Sequence, residues 1–295
     1  MARRKVIIEV RANERADRTA NRNVPWTPAE LAADGKACVE AGAAIYHFHA
    51  RSADGRCIDD YGAYRDTIAG FRAVSDGLIH PSLGDLALAV EAHERFAVVL
   101  RLAAKGLTAD LAPVGMAPSL LHKASEGELL AGAGAEETLV RTILDAVALL
   151  RGAGIAPYFD CWNTSALRRA VDLLNGGQLG PRPLFMLSLL NQDPDHPGVL
   201  RPASLPGLRA AKALLPAGEP LEWVTLSARN NLLPLVPGIV EEGGHISIGL
   251  GDYPYPELGL PTNAGLVAEV VRLVRAGGGE PASPAEARAL LGLAA

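Results

Sequence analysis

The chain has 295 residues, 49% apolar and 21% charged, with a net charge of −5 and a pI near 5.8. This composition supports a large core and excludes a disordered chain, and the acidic balance excludes the basic stripe of a nucleic-acid binder. The length suits one α/β barrel, which typically takes about 250 residues.

The first five residues, Met1-Ala2-Arg3-Arg4-Lys5, begin like a signal peptide, but the apolar run behind them ends at Glu9 and Arg11, too early for a signal sequence. Val6–Val10 reads as a strand. Thr27, Pro28 and Glu30 then open a helix as cap, first-turn proline and capping-box acid, and Gly42 closes it. Ile45–Arg51 is the second strand, Tyr61–Val74 a helix, Gly77–Ser82 a strand, Ala89–Gly106 a helix and Ala109–Met116 a weaker strand. Leu139, Ile143, Val147 and Leu150 mark Glu136–Gly152 as the clearest helix. Strands at Ala156–Trp162, Pro183–Leu190, Leu221–Ser227 and His245–Leu250 alternate with helices at Ser165–Asn175, Leu205–Leu215, Asn231–Glu242 and Asn263–Ala276. Ser283 and Glu286 cap a short extra helix at the C-terminus. The pattern predicts one (β/α)8 TIM-barrel domain over residues 1–295. A dinucleotide-binding sheet would need a glycine-rich first turn, which residues 11–14 lack. The irregular stretch Asn191–Pro202 is a candidate lid.

Cys38, Cys57 and Cys161 are odd in number and form no C-x-x-C pair, so they read as reduced thiols in a cytoplasmic protein. No run reaches the roughly 20 apolar residues of a membrane span.

In such a barrel the reactive groups sit at the C-terminal strand ends. Those ends collect Asn13, Glu14, His47, His49, Ser82, Gly115, Asp160, Asn163, Ser188, Asn191, Ser227, Arg229 and Asp252. His47 and His49, two apart on a strand, project to one side. Two readings stay open for them: half of a zinc site, or one core histidine and one incidental one. Asp160 lies in an otherwise apolar strand, which favours a function or an ion pair. Asp252 reads as a functional carboxylate or as a cap or turn residue, and Arg229 as an anion holder or an ion-pair partner. Glu9 reads as structural, as does His245 at the far end of the barrel. His80, His93, His122 and His196 have no strand-end partner and read as structural or surface residues.

Several segments together resemble the beta-keto acid cleavage enzyme family. Residues 23–30, NVPWTPAE, are similar to its N-L-P-x-T-P-E-E, and residues 40–51, EAGAAIYHFHAR, to its E-A-G-A-x-x-x-H-x-H-x-R. Residues 82–84 resemble the start of S-T-G-G, 228–234 resemble G-R-N-Q-L-P, 243–252 resemble G-G-H-V-R-V-G-L-E-D, and 283–288 match T-P-A-E-A-R.

The resemblance implies a zinc-dependent, retro-Claisen-type transfer in which a β-keto acid and acetyl-CoA give acetoacetate and a new acyl-CoA, within a homo-oligomer (dimer or tetramer). By position it implies His47 and His49 as zinc ligands, Ser82 as a substrate contact, and Asp252, Glu14 and Asp160 as catalytic carboxylates; Arg229 and Asn13, polar groups at strand ends, read as substrate-binding. The apolar last helix (Ala287, Leu290, Leu291, Leu293) suggests an interface.

Other metal-dependent lyases or hydrolases, and an inactive metabolite-binding barrel, are the alternatives. The chain departs from the family at its third ligand, which is Gly251 here, at Ser247 in place of arginine, and at Leu83 and Asp85; the family's strand-four asparagine has no evident equivalent. Asp160, then Asp252, is expected to complete the metal's shell.

Overall fold

In the computed structural model, residues 3–83, 92–117, 135–190 and 202–294 are described. The candidate lid, save Pro202, and His122, His196 and Asp85 lie outside the described residues.

Eight parallel strands form the barrel: β1 (Ile8–Arg11), β2 (Ile45–Phe48), β3 (Leu78–Pro81), β4 (Leu111–Gly115), β5 (Ala156–Cys161), β6 (Leu184–Leu189), β7 (Glu222–Ser227) and β8 (His245–Ile248). Their order is β3-β2-β1-β8-β7-β6-β5-β4, as a (β/α)8 barrel requires. Asp110 stitches the seam between β3 and β4. Its N–H donates to Ile79 O at 3.0 Å, and its carboxylate accepts from Ile79 N at 2.7 Å.

The helices begin where polar caps satisfy their free N–H groups. Thr27 and Glu30 form a reciprocal capping box on the helix Pro28–Ala41, and Ser283 and Glu286 do the same on the C-terminal helix Pro284–Leu291. Asp60 caps the helix Tyr61–Val74, and Asn163, one of the polar groups at the strand ends, caps Thr164–Asn175. The expected 89–106 helix divides into Ala92–Arg95 and Ala97–Ala103.

One expected strand divides as well. Lys5–Val6 pairs with Glu280–Pro281 in a separate two-stranded sheet, and Ile8–Arg11 enters the barrel. Ile7 sits between them and donates its N–H to His245 Nδ1 at 3.0 Å, while His245 Nε2 meets Glu222 at 2.9 Å. His245 is therefore committed to structure at the barrel floor.

The interior is layered, as inward residues of adjacent strands stack. Ile7, Ile45, Leu78, Leu111 and Leu184 make the apolar floor, and the C-terminal helix seats Ala287 and Leu291 against them. The apolar face that suggested an oligomer interface is thus used within the chain. Above the floor the register sets Arg11 beside His47 and His47 beside His80. Polar residues fill these upper layers.

Candidate active site

The motif residues 47–51 build the site from both ends. His47 and His49 point into the barrel mouth, and Arg51, two residues on, reaches back under the loop after β1. Its guanidinium donates to the carbonyls of Asn13, Glu14 and Ala16 and to Gly55 O. Asn13 completes the brace: its amide donates to Pro25 O and His49 O, each at 3.0 Å, and its Oδ1 accepts from His49 N at 2.8 Å. Asn13 is wholly buried and spent on backbone groups. It positions His49 and is not among the residues that line the cavity.

Held this way, Glu14 adopts φ +27°, a conformation that a side-chain-bearing residue keeps only where its surroundings impose it. Its carboxylate comes down over the histidines. Oε1 lies 2.9 Å from His47 Nε2 and Oε2 lies 2.5 Å from His49 Nε2. Arg11 is the residue that strand-by-strand reading passed over. It bridges Glu14 Oε1 at 2.8 Å and Asp252 Oδ1 at 3.2 Å. Its signal was the alternation Glu9-Val10-Arg11, two charged residues turned inward from one strand.

The end of β8 explains why residue 251 is glycine. A Cβ there would lie 2.6 Å from Glu14 Cγ and 2.7 Å from Glu14 N. Gly249 is tighter still, since a Cβ would meet Arg11 O at 1.8 Å. Backbone against backbone, the turn leaves Glu14 the space that a side chain at 251 would take.

These groups wall a cavity of about 250 Å³. Asp160, Asp252, Ser82 and Arg229 line it with Arg11, Glu14 and the two histidines. A larger cleft, about 900 Å³, lies against the helices at Ala92, Leu100 and Asp145, away from the strand ends where a barrel's reactive groups gather. Size does not make it the site.

Burial and charge set the protonation states. Burial pushes Asp160 and Asp252 each up to about 7, although Arg11 opposes both. Burial also disfavours an ionised Glu14, but Arg11 and the histidines hold its carboxyl well below the usual range. Desolvation lowers His47 to about 4. In His49 the charge of Glu14, with a contact from Cys57, outweighs desolvation and raises it to about 9.

Among the described residues, two groups could hold a metal ion: Glu14 with His47 and His49, and Glu9 with His47 and His80. The first opens on the cavity and has the two imidazoles and one carboxylate of an open zinc site. Glu14 Oε1 supports the fit: it is buried and close to His47 and Arg11, yet accepts no well-formed hydrogen bond among the described residues. Asp160 and Asp252, the two carboxylates expected to complete a shell around the histidines, are in neither group. Glu14 stands there because its loop folds back across the mouth, which strand spacing does not reveal. His80, read as structural or surface, is buried in the barrel and bonded to Glu9 at 2.7 Å.

A parallel barrel with carboxylates, arginines and a possible metal triad at its C-terminal strand ends defines a class of barrel enzymes. The chain belongs to the beta-keto acid cleavage enzyme family, whose model matches residues 5–293. It is 28% identical over 284 residues to a 3-keto-5-aminohexanoate cleavage enzyme from Acetoanaerobium sticklandii, covering 92% of each chain. A second such enzyme, from Fusobacterium nucleatum subsp. nucleatum, is 27% identical over 282 residues, again with 92% coverage of each. Among solved structures, the apo structure of ObcA superposes with a TM-score of 0.66 at 16% identity, over 92% of this chain and 66% of that one. That likeness concerns the fold. No described helix is long and apolar enough to cross a membrane.

Proposed function

We propose that the chain transfers the acyl group of a β-keto acid, converting the keto acid and acetyl-CoA into acetoacetate and a new acyl-CoA, with a divalent metal, zinc by its donor set, held by His47, His49 and Glu14. The observation that carries this reading is the convergence of those three side chains on one point beside Asp252, in a pocket that also holds Asp160. When bound, the ion supplies Lewis-acid polarisation of the keto acid's carbonyl.

The chain's own groups account for the rest. Asp252 is poised near neutrality by burial and accepts the proton from the carbon between the two carbonyl groups, the task of a base matched to the working pH. Arg11 fixes that carboxylate through its Nε and keeps Glu14 ionised from the other side. Arg229 and Ser82 stand at the cavity wall where a substrate carboxylate or carbonyl takes hydrogen bonds. Asp160 is the second carboxylate near neutrality and the candidate for returning a proton.

The experiment is a panel of β-keto acids incubated with acetyl-CoA, with acyl-CoA and acetoacetate measured together. The reading expects both products in equal amounts from at least one keto acid, and their loss in Asp252→Asn. Binding of keto acids with no product from any of them would favour an inactive metabolite-binding barrel.

A further inference from the structure

One layer below the mouth lies a second polar cluster that the proposed chemistry does not use. Glu9 is wholly buried, and each of its oxygens is engaged. Oε1 meets His80 Nδ1 at 2.7 Å; Oε2 accepts from Tyr158 OH at 2.7 Å and from Ser247 Oγ at 2.6 Å. A buried carboxylate of this kind is stable only when its charge is met by donors. Tyr158 and Ser247 both donate to this carboxylate, so Glu9 faces His80 as an acceptor and His80 Nδ1 donates to it. The lone pair of that ring is then on its buried Nε2.

His80 Nε2 is buried with no hydrogen-bond partner among the described residues, and so is His47 Nδ1. The two residues are register neighbours on β2 and β3, with ring centroids 4.4 Å apart and planes tilted by 55°. One ligating atom each from Glu9, His47 and His80 lies within 4.8 Å of the others. An imidazole that gives Nε2 to a metal carries its proton on Nδ1 and needs an acceptor there, and the group that supplies it sets the ring's tautomer and aim. Two orphaned buried nitrogens on facing rings, one of them a bare acceptor, meet that need in each other.

We infer that Glu9 and His80 form a positioning pair beneath the metal ligands: Glu9 fixes the Nδ1–H tautomer of His80, and His80 Nε2 accepts the Nδ1–H of His47 across one buried water, leaving His47 Nε2 free for the cation. Ser247 belongs to the same device. Where the family has an arginine, its hydroxyl caps Glu9 without adding a second cation, so the negative charge remains directed at His80. The inference rests on the metal-site reading for its purpose, though not for the tautomer it assigns.

Two measurements on the full-length chain test it. Nitrogen NMR of isotope-labelled histidines, at fixed pH and without metal, reads the tautomer of His80; Nδ1–H is expected, and Nε2–H overturns the inference whatever the variants do. Zinc affinity, read by competition with a chromophoric chelator, is then compared for the unaltered chain, His80→Phe and His80→Gln. Phenylalanine keeps the ring and removes both nitrogens, and is expected to weaken zinc binding about 10–100-fold. Glutamine, with an N–H for Glu9 and an oxygen for His47, is expected to recover most of that loss. Equal affinity in the unaltered chain and His80→Phe defeats the positioning role alone. An unaltered chain that binds no zinc defeats the metal site and this role together. If His80→Phe does not fold, the tautomer decides.

Discussion

Glu14 and Gly251 share one volume: with Glu14 placed over the two histidines, a Cβ on residue 251 would fall 2.6 Å from its Cγ. The carboxylate that the family carries on the last strand is absent, and the first strand's loop brings another to the same mouth. In this chain a side chain at residue 251 and Glu14 in its present place exclude each other sterically.

Gly251→Ala is therefore expected to push Glu14 off the histidines. Overpacking of this kind costs about 1–3 kcal/mol, read as a lowered midpoint in denaturant. Zinc affinity should fall with it, by an order of magnitude or more. The paired change Glu14→Gly with Gly251→Glu should recover part of the affinity that either single change loses, since contacting residues are not additive. Additive losses in a zinc titration would show that the two positions do not share a role.

The pH dependence of turnover follows from Asp252, which burial raises to about 7. A base works only when deprotonated, so kcat/KM should climb as pH rises through about 7 and level off above it. Asp252→Asn should lose that limb and about 10²–10⁴ of the rate, the range assigned to a positioned acid–base group. A variant that retains the limb would move the base to Asp160, raised to a similar value.

A second pH effect belongs to stability and lies behind the barrel wall. Asp34 accepts from Tyr46 OH at 2.8 Å and from Asn263 Nδ2 at 3.0 Å, and burial nevertheless raises it to about 6. Its folded pKa exceeds the unfolded value of about 3.9, so its stabilising contribution is full below that value and is lost as pH rises through about 6. Asp34→Asn, which keeps an acceptor for both donors, should gain on the unaltered chain by roughly 2 kcal/mol between pH 4 and pH 8. Chemical denaturation at those two pH values checks it; a constant difference would mean that Asp34 titrates as an ordinary carboxylate.

Much of this molecule was legible before its structure, for local reasons. Thr27 with Glu30 and Ser283 with Glu286 announce helix starts because caps act within four residues. The side-by-side placement of His47 and His49 follows from the pleat. The hidden part depends on long-range neighbours. That His80 meets Glu9 and His47 requires knowing which strands pair and in what register. Glu14 is a ligand candidate only because Arg51 and the Asn13 brace turn its loop inward at positive φ. Asn13 looked like a site residue because it is polar at a strand end, yet its polar atoms hold backbone. Strand-end polarity locates a site without assigning its parts.

The measurement closest to the central claim is metal analysis joined to X-ray absorption on chain purified without chelator or affinity tag. The account predicts one tightly held divalent ion per chain, with two imidazole nitrogens and a carboxylate oxygen at about 2.0–2.2 Å. Glu14→Gln should lower its retention at least ten-fold, and Asp160→Asn should leave it unchanged. No ion in the unaltered chain, or an ion kept by Glu14→Gln and lost by Asp160→Asn, would contradict the account.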